Sequence, residues 1–294
     1  MSRKKTKVAI VAVVLLAIVI GCVIGSSEAD TKGVSGTVNI AGSSALLPLA
    51  QSAAKTFMDK NPDSVINTNG GGSGQGLQQV SDGTIDIGNS DLLADEKLDK
   101  KSASKLVDHQ VAITAIAPII NKDAGVKSLT TEQLIKVFTG KVSNWKQVGG
   151  NDCQIVLVSR PSSSGTRATF EQYALKKHAS QSNQSLETDD SGTLIQMIQS
   201  VSGSIGYVAL SYLTGDPQVG IVSINGVKPS LKNVYNGKYT VWSYEHMYTK
   251  GQPKGAAKVF LQQMLSEEYG KKIEAMGYGI ASKLTAAAKA THSK

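Results

Sequence analysis

Apolar positions along this chain follow a few recurring patterns. Residues 8–20 form one unbroken apolar run, preceded by Arg3, Lys4, Lys5 and Lys7. Further on, Val38 and Ile40 alternate with other neighbours as a half-buried strand requires. Leu46, Ala50, Ala53 and Phe57 then recur at the spacing of one helix face, with Pro48 in the first turn, where a missing N–H costs little. The same switch of period returns where residues 155–158 lead into a helix carrying Phe170 and Tyr173. Thr130, Thr131, Glu132 and Gln133 read as a capping box opening a helix whose Leu134, Val137 and Phe138 face a core. Short β-branched runs alternating with amphipathic helices predict an α/β protein with mostly parallel strands.

The first run is thirteen residues long, whereas a membrane-spanning helix needs about twenty. It ends in Gly21-Cys22, and the charged start, apolar middle and small-residue end predict an export signal. A cysteine in that place resembles the bacterial lipobox, which implies cleavage before Cys22 and acylation of its thiol. The expected organisation is a signal peptide over residues 1–21 and a tether over 22–34 that holds the chain on the outer face of the cell membrane by a diacyl anchor. Residues 284–294 show no apolar period and predict a flexible tail that holds His292.

Composition narrows the classes further. The net charge is +8 and falls to +4 without the leader's four basic residues, and aromatic residues make up 5%. Neither a clustered basic surface nor stacking aromatics for nucleic acid is indicated. With Cys22 lipidated, Cys153 is the one thiol left, so no internal disulfide is available and Cys153 is expected to be buried.

Three loops carry candidate chemistry. Ala41-Gly42-Ser43-Ser44 joins the first strand to its helix, and puts Ser43 and Ser44 at a helix N-terminus. Residues 70–76 hold five glycines around Ser73, so that backbone N–H groups can converge as in a phosphate-cradling nest. They lack both the dinucleotide fingerprint and the Gly-Lys-Ser/Thr end of a P-loop. Asp91 closes the Asp86-Ile87-Gly88-Asn89-Ser90-Asp91 run that follows. The third loop runs from Ser159 through Arg160, Ser164, Gly165 and Thr166 to Arg167. The chain has 28 lysines and three arginines, and two of the three flank this loop. A planar guanidinium fork matches phosphate or carboxylate, which points to an oxyanion cup.

These motifs, together with Phe138-Thr139-Gly140-Lys141, Asn144-Trp145, residues 203–207 and Met276-Gly277-Tyr278, closely resemble the phosphate-binding proteins of bacterial phosphate ABC transporters. The resemblance implies a two-lobed, type 2 periplasmic-binding-protein fold with mixed sheets and two hinge strands. One lobe would comprise 35–115 with 242–283, the other 116–241. It implies inorganic phosphate as ligand, held by Ser43, Ser44, the Ala45 amide, Ser73, Asp91, Arg160, Ser164, Gly165 and Thr166. Partners would be a membrane permease and its ATPase, and the receptor would act as a monomer without cofactor or metal. The family often has an acidic residue two positions after the arginine, where this chain has Ser162, so Arg160 is expected to be oriented by the ligand alone. Asp91 would accept the proton that phosphate carries at neutral pH and fully ionised sulfate lacks.

Two other readings compete. A hydrolase with Ser164 as nucleophile needs a base within reach, and His109, His178, His246 and His292 show no telling placement or metal spacing. A receptor for another oxoanion, or a surface sensor, would keep the fold and change the cargo.

Overall fold

The computed structural model describes residues 33–180, 186–215 and 217–292, and the described residues from Val34 onward form one compact unit. The leader and Cys22 lie outside the described residues. Strand β1 (Gly36–Gly42) leads into helix α1 (Leu47–Lys60), β2 (Ser64–Asn69), α2 (Ser73–Asp82) and β3 (Ile87–Ser90). β4 (Leu106–Ile120), β5 (Ser128–Leu129), α3 (Thr131–Phe138), β6 (Val156–Ser159), α4 (Gly165–Tyr173), β7 (Leu186–Glu187) and α5 (Ser191–Ser200) follow. β8 (Ser204–Ala209), β9 (Gly220–Ile221), β10 (Ser223–Ile224), β11 (Trp242–Lys250), α6 (Gly255–Met264) and β12 (Tyr278–Gly279) complete the main elements.

The main sheet runs β2-β1-β3-β11-β4-β8-β6-β7, with β9 and β12 also paired to β4, while β5 and β10 pair by themselves. Parallel pairing, expected of most strands from the alternating elements, is confined to β2-β1-β3, to β8-β6-β7 and to β5-β10, which makes the sheet mixed. Between the two larger groups, β4 and β11 run antiparallel to their neighbours. β4 is fifteen residues long, so one strand pairs with β11 over its first ten residues and with β8 from Ile116 onward. Such length lets a single strand serve two packed cores.

Apolar burial is divided accordingly. One cluster gathers Ile40, Leu49, Phe57, Ile87, Met247 and Phe260. Another gathers Ile116, Leu134, Phe138, Trp145, Phe170 and Tyr207. The α1 face read from the sequence is the buried one, and Thr130 and Gln133 form the expected capping box on α3. Trp145 is packed as expected, its Nε1 donating to the Gly203 carbonyl at 2.8 Å. Cys153 is only partly buried, a correction to the expected core thiol. Desolvation, then Asp123 and Asp152, raise its pKa.

The C-terminal stretch also departs from expectation. Residues Ala286–Ala290 form a helix that buries Ala288 completely beside Leu284. His292 stacks on Trp242 at 3.7 Å and on Tyr173 at 3.9 Å between centroids, and its Nε2 donates to the Trp242 carbonyl at 2.7 Å. A row of alanines buries too little surface to announce itself as a helix face. Its docking against aromatic residues supplies what the local sequence lacks.

Burial lowers the His292 pKa from 6.5 to about 4. The unfolded chain therefore binds more protons between these values, and the stability His292 contributes is complete above the upper one and lost as pH falls through the window. Partial exposure limits the effect to about 2 kcal/mol. Thermal unfolding at about pH 7 and about pH 5 is expected to show a larger loss in the wild type than in His292→Phe, which keeps the stack without the titration. Equal losses would rule this out.

Candidate functional site

Four helix N-termini converge where the three sequence loops meet. The first is the turn before α1. Ser43 accepts from the Ala45 amide at 3.1 Å and the Leu46 amide at 3.4 Å, and its hydroxyl donates to Asp91 Oδ1. Ser44 donates to the Asp189 carbonyl at 2.8 Å and lies 3.1 Å from the Ser191 hydroxyl. Ser73, the first residue of α2, accepts from the Asp91 amide at 3.0 Å. Ser164 caps α4 through the Arg167 amide, and Thr166 donates to Asp91 Oδ2 at 2.8 Å. The fourth is α5, where Asp190 caps and Ser191 is the first residue. Aligned peptide dipoles give each of these ends a partial positive charge, so the junction favours an anion.

All nine residues expected from the sequence are buried at this junction, and the hydrogen bonds above join the three loops. Gly165 lies between Ser73 and Asp91, and a Cβ there would fall 2.2 Å from the Ser73 hydroxyl. Only glycine permits that approach. Gly72, at φ +90°, is likewise required, since a Cβ would meet the Asp189 carboxylate. The nest expected over residues 70–76 is built differently. The Gly72 and Gly74 amides donate to the Gly42 and Ser163 carbonyls, so these N–H groups tie the loops together.

Arg160 is fully buried at the end of β6, and it is held by the protein, contrary to the expectation from Ser162. NH2 donates to Ser191 Oγ at 2.8 Å and to the Tyr207 carbonyl at 3.2 Å, and NH1 donates to the Asp189 carbonyl at 3.1 Å. The Asp189 carboxylate stands 3.9 Å from NH1. A counter-charge 29 residues downstream thus takes the place of one two residues away. Phe170 stacks on the Tyr207 ring at 4.1 Å, backing the strand that supplies the carbonyl.

Burial lowers the Arg160 pKa, opposed chiefly by Tyr207, Asp189 and Asp91. Burial raises that of Asp189, opposed by the Ser164 hydroxyl and by Arg160. Asp189 and Ser191 escaped the sequence reading because the Asp189-Asp190-Ser191-Gly192 string looks like an ordinary helix start. Arg167 is the opposite case. It turns from the junction to Glu171 at 2.8 Å and to the Arg160 and Ser180 carbonyls, and so braces the loop.

A serine nucleophile at Ser164 finds no histidine. His109 is engaged by Thr249, His178 by the Leu175 carbonyl, His246 by Asp108 and His292 by the Trp242 carbonyl. Among the described residues, no group of three or more His, Cys, Asp or Glu side chains is placed to hold a metal.

Comparison with known proteins agrees with this architecture. Residues 27–268 match the PBP superfamily domain. The chain is 49% identical over 248 residues to the phosphate-binding protein PstS of Bacillus subtilis, covering 84% of this chain and 81% of that one. A crystal structure of a phosphate ABC transporter substrate-binding protein with bound phosphate, from Clostridium perfringens, superposes with a TM-score of 0.74 at 31% identity, over 83% of this chain and 98% of that chain. An ABC-type phosphate transport receptor from Vibrio cholerae shares the fold, with a TM-score of 0.64 at 24% identity over 83% and 100% of the two chains. The mixed α/β sheet is that of a type 2 periplasmic-binding-protein-like domain, and this chain belongs to the PBP superfamily, in the family of the PstS phosphate-binding proteins.

Proposed function

We propose that this chain binds inorganic phosphate outside the cell membrane and delivers it to an ABC permease driven by a cytoplasmic ATPase. The observation that carries the reading is the meeting of fully buried Arg160, ion-paired with Asp189, and the buried Asp91 carboxylate at the junction of four helix N-termini. Asp189 is taken up as the counter-charge of Arg160, which leaves Asp91 as the carboxylate that meets the proton of an incoming anion. The family supports this reading, since relatives at 49% and 31% identity carry phosphate in their names. The chain acts as a receptor and not as an enzyme, in keeping with histidines engaged away from Ser164.

In this reading residues 35–115 with 242–283 form one lobe and 116–241 the other, with β4 and β11 as hinge strands. Ser43, Ser44, Ala45, Ser73 and Asp91 come from the first lobe, and Arg160, Ser164, Gly165 and Thr166 from the second. Closure follows because only the closed arrangement lets both sets touch the anion. The receptor is monomeric and tethered through diacylated Cys22.

Calorimetric titration of phosphate-stripped protein tests the assignment. Phosphate is expected to bind tightly, arsenate, which also carries a proton, more weakly, and sulfate roughly four orders of magnitude more weakly than phosphate. Equal binding of sulfate would remove the phosphate reading. Mass spectrometry of the membrane-extracted chain is expected to show an N-terminus at acylated Cys22.

A further inference from the structure

Behind Asp91 lies a second acid that nothing above uses. Glu245, on β11, is completely buried, and no donor reaches either carboxyl oxygen in hydrogen-bonding geometry. The antiparallel pairing of His246 with Ser90 and Met247 with Asn89, carried one step further, sets Glu245 beside Asp91. Asp91 is also the polar group that acts on Glu245 at close range.

The groups that face Glu245 are few. Asp91 approaches from the end of β3, and Tyr278 from β12. Tyr278 is itself occupied, donating to the Ala45 carbonyl. Ala112 stands opposite on β4. His246, next along the strand, turns to Asp108. Arg160 acts on Asp91 and has Asp189 as its ion-pair partner. No cation is therefore supplied to Glu245 among the described residues that act on it.

Two neighbouring carboxyl groups, both shut off from water, are compatible only if one is protonated. Asp91 already receives the Ser43 and Thr166 hydroxyls, whereas Glu245 receives none. The proton therefore belongs on Glu245. Burial, and after it the Asp91 charge, push its pKa well above the usual carboxyl range.

We propose that Glu245 is a positioning residue for the anion site, a neutral acid whose O–H donates to Asp91 and leaves that carboxylate a single open acceptor. An ionised carboxylate offers about four acceptor positions. Ser43 and Thr166 fill two, Glu245 fills a third, and the fourth meets the proton of the anion. The site is thereby matched to an oxyanion presenting one proton towards Asp91. The inference rests on the phosphate-site reading for its ligand, but not for its proton.

The test has two arms. In the first, infrared spectra at neutral pH compare wild type with Glu245→Gln and without any ligand. The wild type is expected to show the carbonyl band of a protonated, buried acid, and the variant to lose it. Absence of that band from the wild type would overturn the proposal whatever the protein binds.

In the second arm, phosphate is titrated from mildly acidic to mildly alkaline pH. Glu245→Gln keeps a neutral donor and is expected to stay within about threefold of wild type. Glu245→Leu removes the donor, and its affinity is expected to fall about tenfold or more. Its optimum should move towards acid, because Asp91 then has two open acceptors for a more protonated anion. Circular dichroism reports whether Glu245→Leu is folded. If it is not, Glu245→Gln together with the infrared band decides the matter. Wild-type behaviour in folded Glu245→Leu, or equal losses in both variants, would refute the positioning role. A wild type that binds no phosphate but shows the acid band removes the ligand assignment and leaves the proton on Glu245.

Discussion

Arg160→Ala is expected to weaken phosphate binding by about 4 kcal/mol, close to a thousandfold, while the protein still unfolds cooperatively. The guanidinium is fully buried and makes hydrogen bonds to Ser191, Tyr207 and Asp189. These partners fix its plane before any anion arrives. Truncation removes that fork and leaves Asp91 as an unopposed negative charge where an anion must sit. The fold survives because Asp189 can take up a proton, and burial already favours its neutral form. Arg160→Lys restores the charge without the fork, and is expected to recover only part of the affinity. Calorimetry at one ionic strength measures both variants, and near-normal affinity in Arg160→Ala would exclude the proposed site.

Asp91→Asn is expected to change which anion is bound more than how tightly. The carboxylate is held at both oxygens, by Ser43 and by Thr166 at 2.8 Å, so its direction is fixed by the protein. An asparagine in that place offers an N–H as well as a carbonyl. A fully ionised sulfate then meets a donor instead of an unmatched acceptor, and phosphate loses the partner for its proton. The preference for phosphate over sulfate is expected to shrink from about four orders of magnitude to about one. Competition titrations measure this ratio directly. An unchanged ratio would mean that the carboxylate does not select by proton, even if phosphate is the ligand.

The two experiments divide the site by function. In the proposed site Arg160 and the helix N-termini supply attraction, which any oxyanion of suitable size can use. In the proposed site Asp91, with Glu245 behind it, sets a condition that only a protonated anion meets. Arrangement by four separate helix starts has a further consequence, since no single loop carries enough donors to hold the anion alone. Small displacements of any one element are therefore felt by the whole junction.

Much of this was legible in the chain before any coordinates. The strand-to-helix change of period located β1 with α1 and β6 with α4, because burial of one face leaves a period of two in a strand and of about 3.6 in a helix. The confinement of Arg160 and Arg167 to one loop in a lysine-rich chain marked where planar donors were needed, although the structure gives only Arg160 to the junction. What the sequence could not disclose were relations between distant positions. The counter-charge of Arg160 lies at Asp189, the acid behind Asp91 lies at Glu245, and the last alanines dock on an aromatic cluster around Trp242. None of these has a period or a local motif, because each depends on the pairing of strands and the packing of helices far apart in the chain. Periodicity records which face is turned inward, and only the assembled fold decides which buried charge meets which.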